Sequence, residues 1–233
     1  MYLVIDTSTH YGAVGLWSGG TLVRAHAWHS RSNHTAELMP AVEGVMGASR
    51  VTPKDLTGIA IAHGPGGFSA LRAGLGVAKG LAFALGLPVV GVSTLEASAY
   101  AYRGVGLRIC ALIDAGREIV AWARFQQAAD GWKRLTPDRI TPLEAMLDSR
   151  GRHTLYCGEG AAKHAGAIGL ALGGRAHVVD DAVPLPRLLG VAELGAARLD
   201  KGEADLIATL APRYLRSPGI TRPKAAAAVR KGG

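Results

Sequence analysis

Two aspartates in this sequence each end an apolar run that is followed by a tight turn and a second run. Asp6 ends V-I-D-T, Asp114 ends L-I-D-A, and Thr7 directly follows the first aspartate. Carboxylate oxygens are ligands that Mg²⁺ prefers, and two such turns could hold the phosphates of a nucleotide. Aspartates also serve as plain caps, since they hydrogen-bond the backbone of their own turn. The residues therefore predict either a phosphate-binding pair of hairpins or two ordinary turns.

A glycine-rich loop is a second candidate for phosphate binding. The run H-G-P-G-G-F-S-A-L-R-A-G follows an apolar strand predicted over 58–63 and leads into a long helix, for which Ser69 is the predicted N-cap. Gly64 and Gly66 allow the backbone to turn sharply and approach a ligand, and a helix N-terminus attracts anions. The loop fits a phosphate cradle, and it fits equally well an ordinary strand-to-helix turn.

The other polar motifs argue against most catalytic and metal sites. The eight histidines form no H-E-x-x-H motif and no pair at helical i, i+4 spacing, and the chain has neither a G-x-S-x-G motif nor a P-loop. A second glycine loop, C-G-E-G-A-A at 157–162, places Glu159 where it would repel a phosphate. We therefore expect no catalytic residue, no metal and no cofactor.

The elements that position these residues begin with a meander and a helix. Three apolar runs joined by short turns predict antiparallel strands over 2–7, 12–17 and 21–28. A helix is expected from His34 to Ala48, with Leu38 and Val42 on its apolar stripe and Pro40 either kinking it or marking a later start.

The helix predicted from Ser69 to Gly86 has little polar surface. One apolar stripe contains Leu71 and Leu75, a second stripe lies beside it, and the third face carries Arg72, Gly76, Lys79 and Phe83. Such a helix is normally covered on more than one side. Each mid-helix glycine costs about 1 kcal/mol relative to alanine, so Gly74, Gly76 and Gly80 suggest close approach of another backbone. The helix either packs tightly on its own sheet or offers one face to another subunit.

The second half of the chain repeats the opening pattern of an Asp-ended strand, a turn and an outgoing strand. This repetition predicts a two-domain α/β protein with mixed sheets flanked by helices, of the actin-like or sugar-kinase-like kind, in which two hairpins hold ATP from two domains. We place an N-terminal domain at 1–103 and a degenerate second domain at 104–212, whose last helix could pack back on the first. A basic tail follows at 213–233.

Composition indicates a globular protein with an anionic partner. Of 233 residues, 48% are hydrophobic, and the formal charge of +8 with a pI near 9.8 favours nucleic acid as a partner. Much of the excess lies in the tail, which is either a solvated basic segment or a contact to RNA, and its cations are Arg213, Arg216, Arg222, Lys224, Arg230 and Lys231.

Cysteine use and the apolar runs indicate a cytoplasmic location. Cys110 and Cys157 stand in apolar runs without a C-x-x-C motif, which is typical of reduced thiols. The N-terminus has no basic region, and the long apolar stretch is interrupted by Lys79 and Pro88. We therefore expect neither a signal peptide nor a membrane span.

Several motifs taken together resemble the bacterial TsaB (YeaZ) family. They are L-V-I-D-T-S at 3–8, H-S at 29–30 before L-M-P at 38–40, G-P-G-G-F-S-A-L-R-A-G at 64–74, A-K-G-L-A at 78–82, I-D-A-G-R-E at 113–118 and R-Y-L-R at 213–216. The family usually has G-P-G-S-F-T-G-L-R in the loop, so Gly67, Ser69 and Ala70 depart from it. Its members are dimerisation subunits of the machinery that places N6-threonylcarbamoyladenosine beside the anticodon of tRNA.

The resemblance implies a non-catalytic subunit that works with other proteins. It implies a TsaD-like catalytic partner, which binds ATP and a metal through a His-x-x-x-His pair that this chain lacks, a TsaE-like ATPase, and tRNA within the complex. Without a partner, the same helix faces could form a homodimer. The alternative is an actin-like ATP-dependent transferase that acts alone, with Asp6 and Asp114 around Mg²⁺.

Two residue sets follow from this interpretation. The expected partner interface comprises Leu38, Val42, Leu71, Arg72, Leu75, Gly76, Lys79 and Gly80. The possible vestige of a nucleotide cleft comprises Asp6, Thr7, Gly64, Gly66 and Asp114.

Overall fold

A computed structural model describes residues 1–31, 33–147, 152–179 and 184–214. It contains two mixed β-sheets, each covered by helices. We call the first sheet with its helices the first lobe, and the second sheet with its helices the second lobe. The predicted α/β fold, with mixed sheets flanked by helices, is confirmed.

The first sheet has the strand order β3-β2-β1-β4-β5. Its strands are β1 (Tyr2–Asp6), β2 (Tyr11–Ser18), β3 (Thr21–His29), β4 (Gly58–Gly64) and β5 (Val89–Ser93). The strands β1 to β3 form the predicted antiparallel meander, while β4 runs parallel to β1 and β5 runs parallel to β4.

The second sheet has the order β11-β10-β6-β7-β8, and β9 also pairs with β7. Its strands are β6 (Arg108–Asp114), β7 (Ile119–Ala128), β8 (Gly131–Arg134), β9 (Arg139–Pro142), β10 (Thr154–Cys157) and β11 (Ala176–Val178). As in the first sheet, an antiparallel partner lies on one side of the Asp-ended strand and a parallel partner on the other. Asp6 and Asp114 therefore end equivalent strands.

Seven helices lie within the described residues. They are α1 (His34–Ala48), α2 (Phe68–Leu85), α3 (Thr94–Tyr100), α4 (Leu143–Met146), α5 (Glu159–Lys163), α6 (Ala165–Leu172) and α7 (Leu185–Leu199). Pro40 lies inside α1 and does not mark its start.

Both faces of the first sheet are buried, which explains why β1 is a continuous apolar run. Leu3 and Ile5 share a core with residues of α1 and α2, whereas Val4 belongs to a second core on the opposite face. That second core is built with α7, through residues such as Leu188 and Val191. The last long helix thus covers the first lobe.

The elements differ from the sequence predictions in three places. The N-cap of α2 is Gly67, in an extended conformation, and Ser69 lies in the first turn, because the amide of Leu71 already bonds the Gly67 carbonyl. The run of small and apolar residues also predicts a helical segment over 161–172, and the structure has two helices there, α5 and α6, which meet at His164. The short strands β9 and β11 were not expected, because three or four residues carry little periodicity.

By length and composition alone, α2 resembles a membrane span, with a mean hydropathy of 1.3 over 18 residues. Its packing gives another explanation, because Leu71, Gly74, Leu75, Ala78 and Ala82 are buried, mostly in the core of the first lobe. Core helices of α/β proteins have this composition.

Candidate functional site

A cleft of about 370 Å³ lies where the two Asp-ended strands and the start of α2 meet. One wall comes from the turn after β1 and from α1, and the opposite wall comes from the second lobe. Its lining residues are Ser8, Thr9, His10, His34, Thr35, Gly67, Phe68, Ser69, Ala70, Ile113, Asp114 and Glu159. Of the five residues predicted for a nucleotide cleft, Asp114 lines this cleft, whereas Asp6, Thr7, Gly64 and Gly66 lie close in sequence to lining residues and do not line it themselves.

Asp6 is fully buried at the end of β1, and both of its carboxylate oxygens have donors from the chain itself. Oδ1 accepts from the Ser8 amide at 2.9 Å and from the Ser8 hydroxyl at 2.6 Å. Oδ2 accepts from the guanidinium of Arg187. The side chain is thus both a turn cap, as one of the two interpretations predicted, and half of a buried ion pair.

Arg187 joins three segments across the two lobes. It lies in the first turn of α7, is 4% exposed, and donates to Asp6, to Glu159 Oε1 at 2.7 Å and to Thr9 Oγ1 at 3.2 Å. Thr9 Oγ1 in turn donates to Glu159 Oε1 at 2.7 Å. Burial by itself would lower the pKa of Arg187, but attraction to Asp6 and Glu159 outweighs it and raises that pKa above its ordinary range. The guanidinium is therefore a fixed positive charge between the lobes.

This network does not fit a magnesium site. Mg²⁺ is bound through free carboxylate oxygens and water in near-octahedral geometry. Both oxygens of Asp6 already accept hydrogen bonds from the chain, and the Arg187 guanidinium pairs with both Asp6 and Glu159. Among the described residues, no group of three or more His, Cys, Asp or Glu side chains is arranged to hold a metal.

Asp114 is paired on its own side of the cleft. It accepts from Lys163 Nζ at 2.6 Å and from the Gly116 amide at 3.3 Å, and His164 Nε2 lies 3.6 Å away. Burial would raise the pKa of Asp114, but the hydrogen bonds from Lys163 and Gly116 lower it below its ordinary value. Asp114 and Asp6 thus have separate partners and do not form one carboxylate pair.

The glycines of the loop make room for neighbouring backbone. A Cβ on Gly66 would lie 2.1 Å from the Ser8 carbonyl oxygen, and one on Gly64, which has a φ of +120°, would lie 2.6 Å from the Arg213 carbonyl oxygen. Thr7 turns towards α2, where its hydroxyl donates to the Ala70 carbonyl at 2.8 Å. These contacts favour the interpretation of the loop as a strand-to-helix turn.

The residues expected at a partner interface divide into a buried and an accessible group. Leu38, Val42, Leu71 and Leu75 are at most 3% exposed and belong to the core, so their side chains cannot contact a partner directly. Arg72, Gly76 and Gly80 are exposed. Lys79 is half-buried and donates to the Leu210 carbonyl at 3.1 Å.

The exposed side of α2 forms one continuous surface. Arg72, Gly76, Gly80 and Phe83 recur at helical spacing, and Phe83 is 81% exposed. We call these four residues the α2 outer face. A Cβ on Gly76 or Gly80 would meet nothing within 4 Å, so no other described segment approaches them. Gly74, in contrast, is closely approached by the hydroxyl of Thr7.

Sequence reasoning missed two residues that organise the site. Arg187 lies on the otherwise apolar, buried side of α7, and a charge on such a stripe was a usable signal for a buried partner. Tyr214 stacks on Phe68 at a centroid distance of 5.0 Å and accepts from Arg72 at 3.1 Å. Nothing in its local sequence indicated that contact.

The chain is similar to proteins of one tRNA-modification pathway. A family model described as TsaD, tRNA N6-adenosine threonylcarbamoyltransferase, matches residues 28–224. The tRNA threonylcarbamoyladenosine biosynthesis protein TsaB of Bacillus subtilis is 30% identical over 217 residues, which cover 92% of this chain and 93% of that protein. TsaB of Escherichia coli is 40% identical over 131 residues, or 55% of this chain and 56% of that protein. The solved structure of YeaZ from Pseudomonas aeruginosa matches with a TM-score of 0.74 and 28% identity, covering 92% of this chain and 99% of that one.

Proposed function

The chain belongs to the TsaB family of tRNA threonylcarbamoyladenosine biosynthesis proteins, and from this premise we propose that it is a non-catalytic subunit that docks a TsaD-type catalytic subunit. In this proposal a TsaE-type ATPase joins the pair, and the assembly modifies tRNA in the cytoplasm. Without the catalytic subunit, the same surface would form a homodimer.

The observation that carries the proposal is the α2 outer face. Phe83 is 81% exposed, and the Cβ positions of Gly76 and Gly80 are open, so the helix backbone is accessible beside an exposed aromatic ring. Small residues let a second helix approach closely, and a projecting aromatic ring is a common anchor of protein interfaces. A helical partner surface with a pocket for Phe83 fits this face.

The absence of catalysis is argued from the cleft. Arg187 lies between the lobes and pairs with both Asp6 and Glu159, and Lys163 pairs with Asp114. The chain then contributes a surface to the reaction, and its partner contributes the chemistry.

Co-elution with the TsaD-type subunit tests the docking surface. We expect Gly76→Asp and Gly80→Asp to abolish co-elution in size-exclusion chromatography, because each places a charge in the centre of the interface. Gly169→Asp in α6 is the matched control, since Gly169 is also an exposed helical glycine with nothing within 4 Å of a Cβ. Retained co-elution of both α2 variants would count against this surface.

The alternative of an ATP-dependent transferase acting alone is tested by calorimetry. The cleft of about 370 Å³ at the start of α2 is the observation in its favour. Titration of the purified chain with Mg·ATP is expected to give no binding, because the carboxylates that would hold Mg²⁺ already have cationic partners. Micromolar binding of Mg·ATP would support the transferase alternative.

A further inference from the structure

One face of the second sheet changes from apolar to basic along its strands. Nearer the cleft this face carries Leu112 and Val120, which share a core with residues of α4, α5 and α6. Farther from the cleft, four neighbouring strands, β6 to β9, each contribute one cation to the same face. These cations, which we call the basic sheet face, are Arg108, Arg124, Lys133 and Arg139.

The strand register places the four cations together. Residues directly opposite each other in an antiparallel pair lie on the same side of the sheet. Arg124 is opposite a residue of β6 two positions after Arg108, and Lys133 and Arg139 are opposite residues of β7 two positions after and before Arg124. Each of the other three cations is therefore one diagonal step from Arg124, about 7–8 Å away. Arg108 and Arg124 are half-buried, and Lys133 and Arg139 are exposed.

The basic sheet face has few acidic partners among the described residues. Lys133 pairs with Asp130, but no ion pair joins any of the three arginines to a described carboxylate. Arg108 Nε is buried without a hydrogen-bond partner, and Arg124 Nη2 donates to a backbone carbonyl, that of Met146, at 3.1 Å. Glu144 in α4 is exposed and forms no ion pair with a described residue. The face keeps an excess of positive charge even when Asp130 and Glu144 are both counted.

The neighbouring arginine on the opposite face of β8 is fully paired. Arg134 donates to Glu96 Oε2 at 2.9 Å, to Asp138 and to Ser93 Oγ at 3.2 Å. Adjacent positions of a strand point to opposite faces of the sheet. The shortage of acids is therefore a property of the basic sheet face and not of β8 as a whole.

Trp122 holds two of the guanidinium groups side by side. Its ring is 3% exposed, and its indole nitrogen donates to Thr141 Oγ1 at 3.0 Å. The Cζ atoms of Arg124 and Arg139 lie 4.8 Å and 5.5 Å from the ring centre, within the range of cation–π attraction. Like charges that face one another on a sheet are destabilising, so this arrangement favours an anion that bridges them.

We propose that the basic sheet face binds the phosphate backbone of tRNA. The inference rests on the proposed function, which makes tRNA the substrate of the assembly. Guanidinium groups bind phosphate oxygens through paired N–H donors, and three of the four cations are arginines. Contacts of this kind position an RNA without reading its sequence. The face belongs to the second lobe, so an RNA bound there leaves the α2 outer face of the first lobe to the protein partner.

The test measures binding of a fluorescently labelled tRNA transcript to the purified chain by anisotropy, from 50 to 200 mM salt. The combined variant Arg108→Gln, Arg124→Gln and Arg139→Gln should bind about tenfold or more weakly at 50 mM salt. Its slope of log affinity against log salt should fall by about 2–3, because each phosphate contact contributes about 0.7–0.9. Beyond Tyr214 the basic tail lies outside the described residues, and it is unchanged in every variant.

Matched variants separate the face from net charge and from stability. The combined control Arg31→Gln, Arg50→Gln and Lys54→Gln removes three exposed cations of the first lobe and should change the slope by less than one. Lysine in place of the three arginines of the face keeps the charge and should keep the slope. If circular dichroism shows that the glutamine variant is unfolded, the exposed Arg139→Glu is measured alone and should weaken binding about threefold or more.

Unchanged tRNA affinity and slope in the glutamine variant would overturn the inference, and so would an equal loss in the first-lobe control. Absence of tRNA binding by the unmodified chain at 50 mM salt would also overturn it. A glutamine variant that binds tRNA normally but no longer co-elutes with the TsaD-type subunit would assign the face to that protein instead. Loss of tRNA binding with retained co-elution supports the inference and leaves the docking proposal intact. The two proposals therefore fail on different measurements.

Discussion

The cleft and the α2 outer face lie on two sides of the same helix. They differ in whether their groups already have partners among the described residues. In the cleft, Arg187 and Lys163 meet the three carboxylates Asp6, Glu159 and Asp114. On the outer face, no atom of the described residues outside α2 approaches the Cβ positions of Gly76 and Gly80, and Phe83 is 81% exposed. A surface that is already complete needs no ligand, whereas an incomplete one favours a partner. This difference is the reason we propose that the chain acts through the α2 outer face.

The largest effect should come from removing the Arg187 side chain, which lies between the two lobes. Arg187→Ala leaves Asp6 and Glu159 without their shared cation in a buried position, and removing one member of a buried ion pair typically costs about 3–5 kcal/mol. We expect urea unfolding to show a loss of that size, with a smaller loss for Arg187→Lys. A loss below about 1 kcal/mol would contradict this comparison, because Asp6 and Glu159 would then not depend on the Arg187 cation for stability.

A matched pair of glycines in α2 should give effects of opposite sign. A Cβ on Gly74 would lie 2.3 Å from Thr7 Oγ1, so Gly74→Ala should destabilise the fold by about 1–3 kcal/mol through overpacking. Gly76→Ala meets open space and should stabilise it by up to about 1 kcal/mol through helix propensity. Thermal unfolding measures both. If both variants change the stability in the same direction, the contrast between the buried and the outer side of α2 is wrong.

The smallest effect concerns the pH dependence of the second carboxylate of the cleft. The Asp114 pKa is lower in the folded chain, so its pairing stabilises the fold above the unfolded-state pKa near 4 and is lost as the pH falls through the folded-state value. Lys163→Ala should raise the pKa of Asp114, as followed by carboxyl NMR shifts, and should reduce this acid-side pH dependence. Lys201→Ala serves as a control for net charge. An unchanged Asp114 pKa would mean that Lys163 does not lower it.

Local pattern was enough to predict most of the elements. The meander, α1 and the two Asp-ended strands lie within one or two residues of their predicted bounds, because alternation and turn residues are local signals. The position of Asp6 at a strand end followed from the same pattern. Its partner did not, because Arg187 is 181 positions away in sequence and reaches Asp6 only through the packing of α7.

The faces of α2 show a second limit. Helical spacing correctly separated Leu71 and Leu75 from Arg72 and Gly76, but spacing cannot say which stripe the sheet covers. For that reason the expected interface mixed core residues with accessible ones. The position of Tyr214 could not be predicted either, since its contact with Phe68 joins two segments that share no motif.

The packing of α7 and of residues 205–214 on the first sheet also has a consequence for biosynthesis. One face of that sheet is covered by Leu188 and Val191, and the other core includes Leu210, so the first lobe contains both the beginning and the late part of the chain. A nascent chain leaving the ribosome would make the second lobe while the first still lacks its cover. Residues 205–214 would then reach the first lobe only after the second lobe has been made, so the core that contains Leu210 would close late in synthesis.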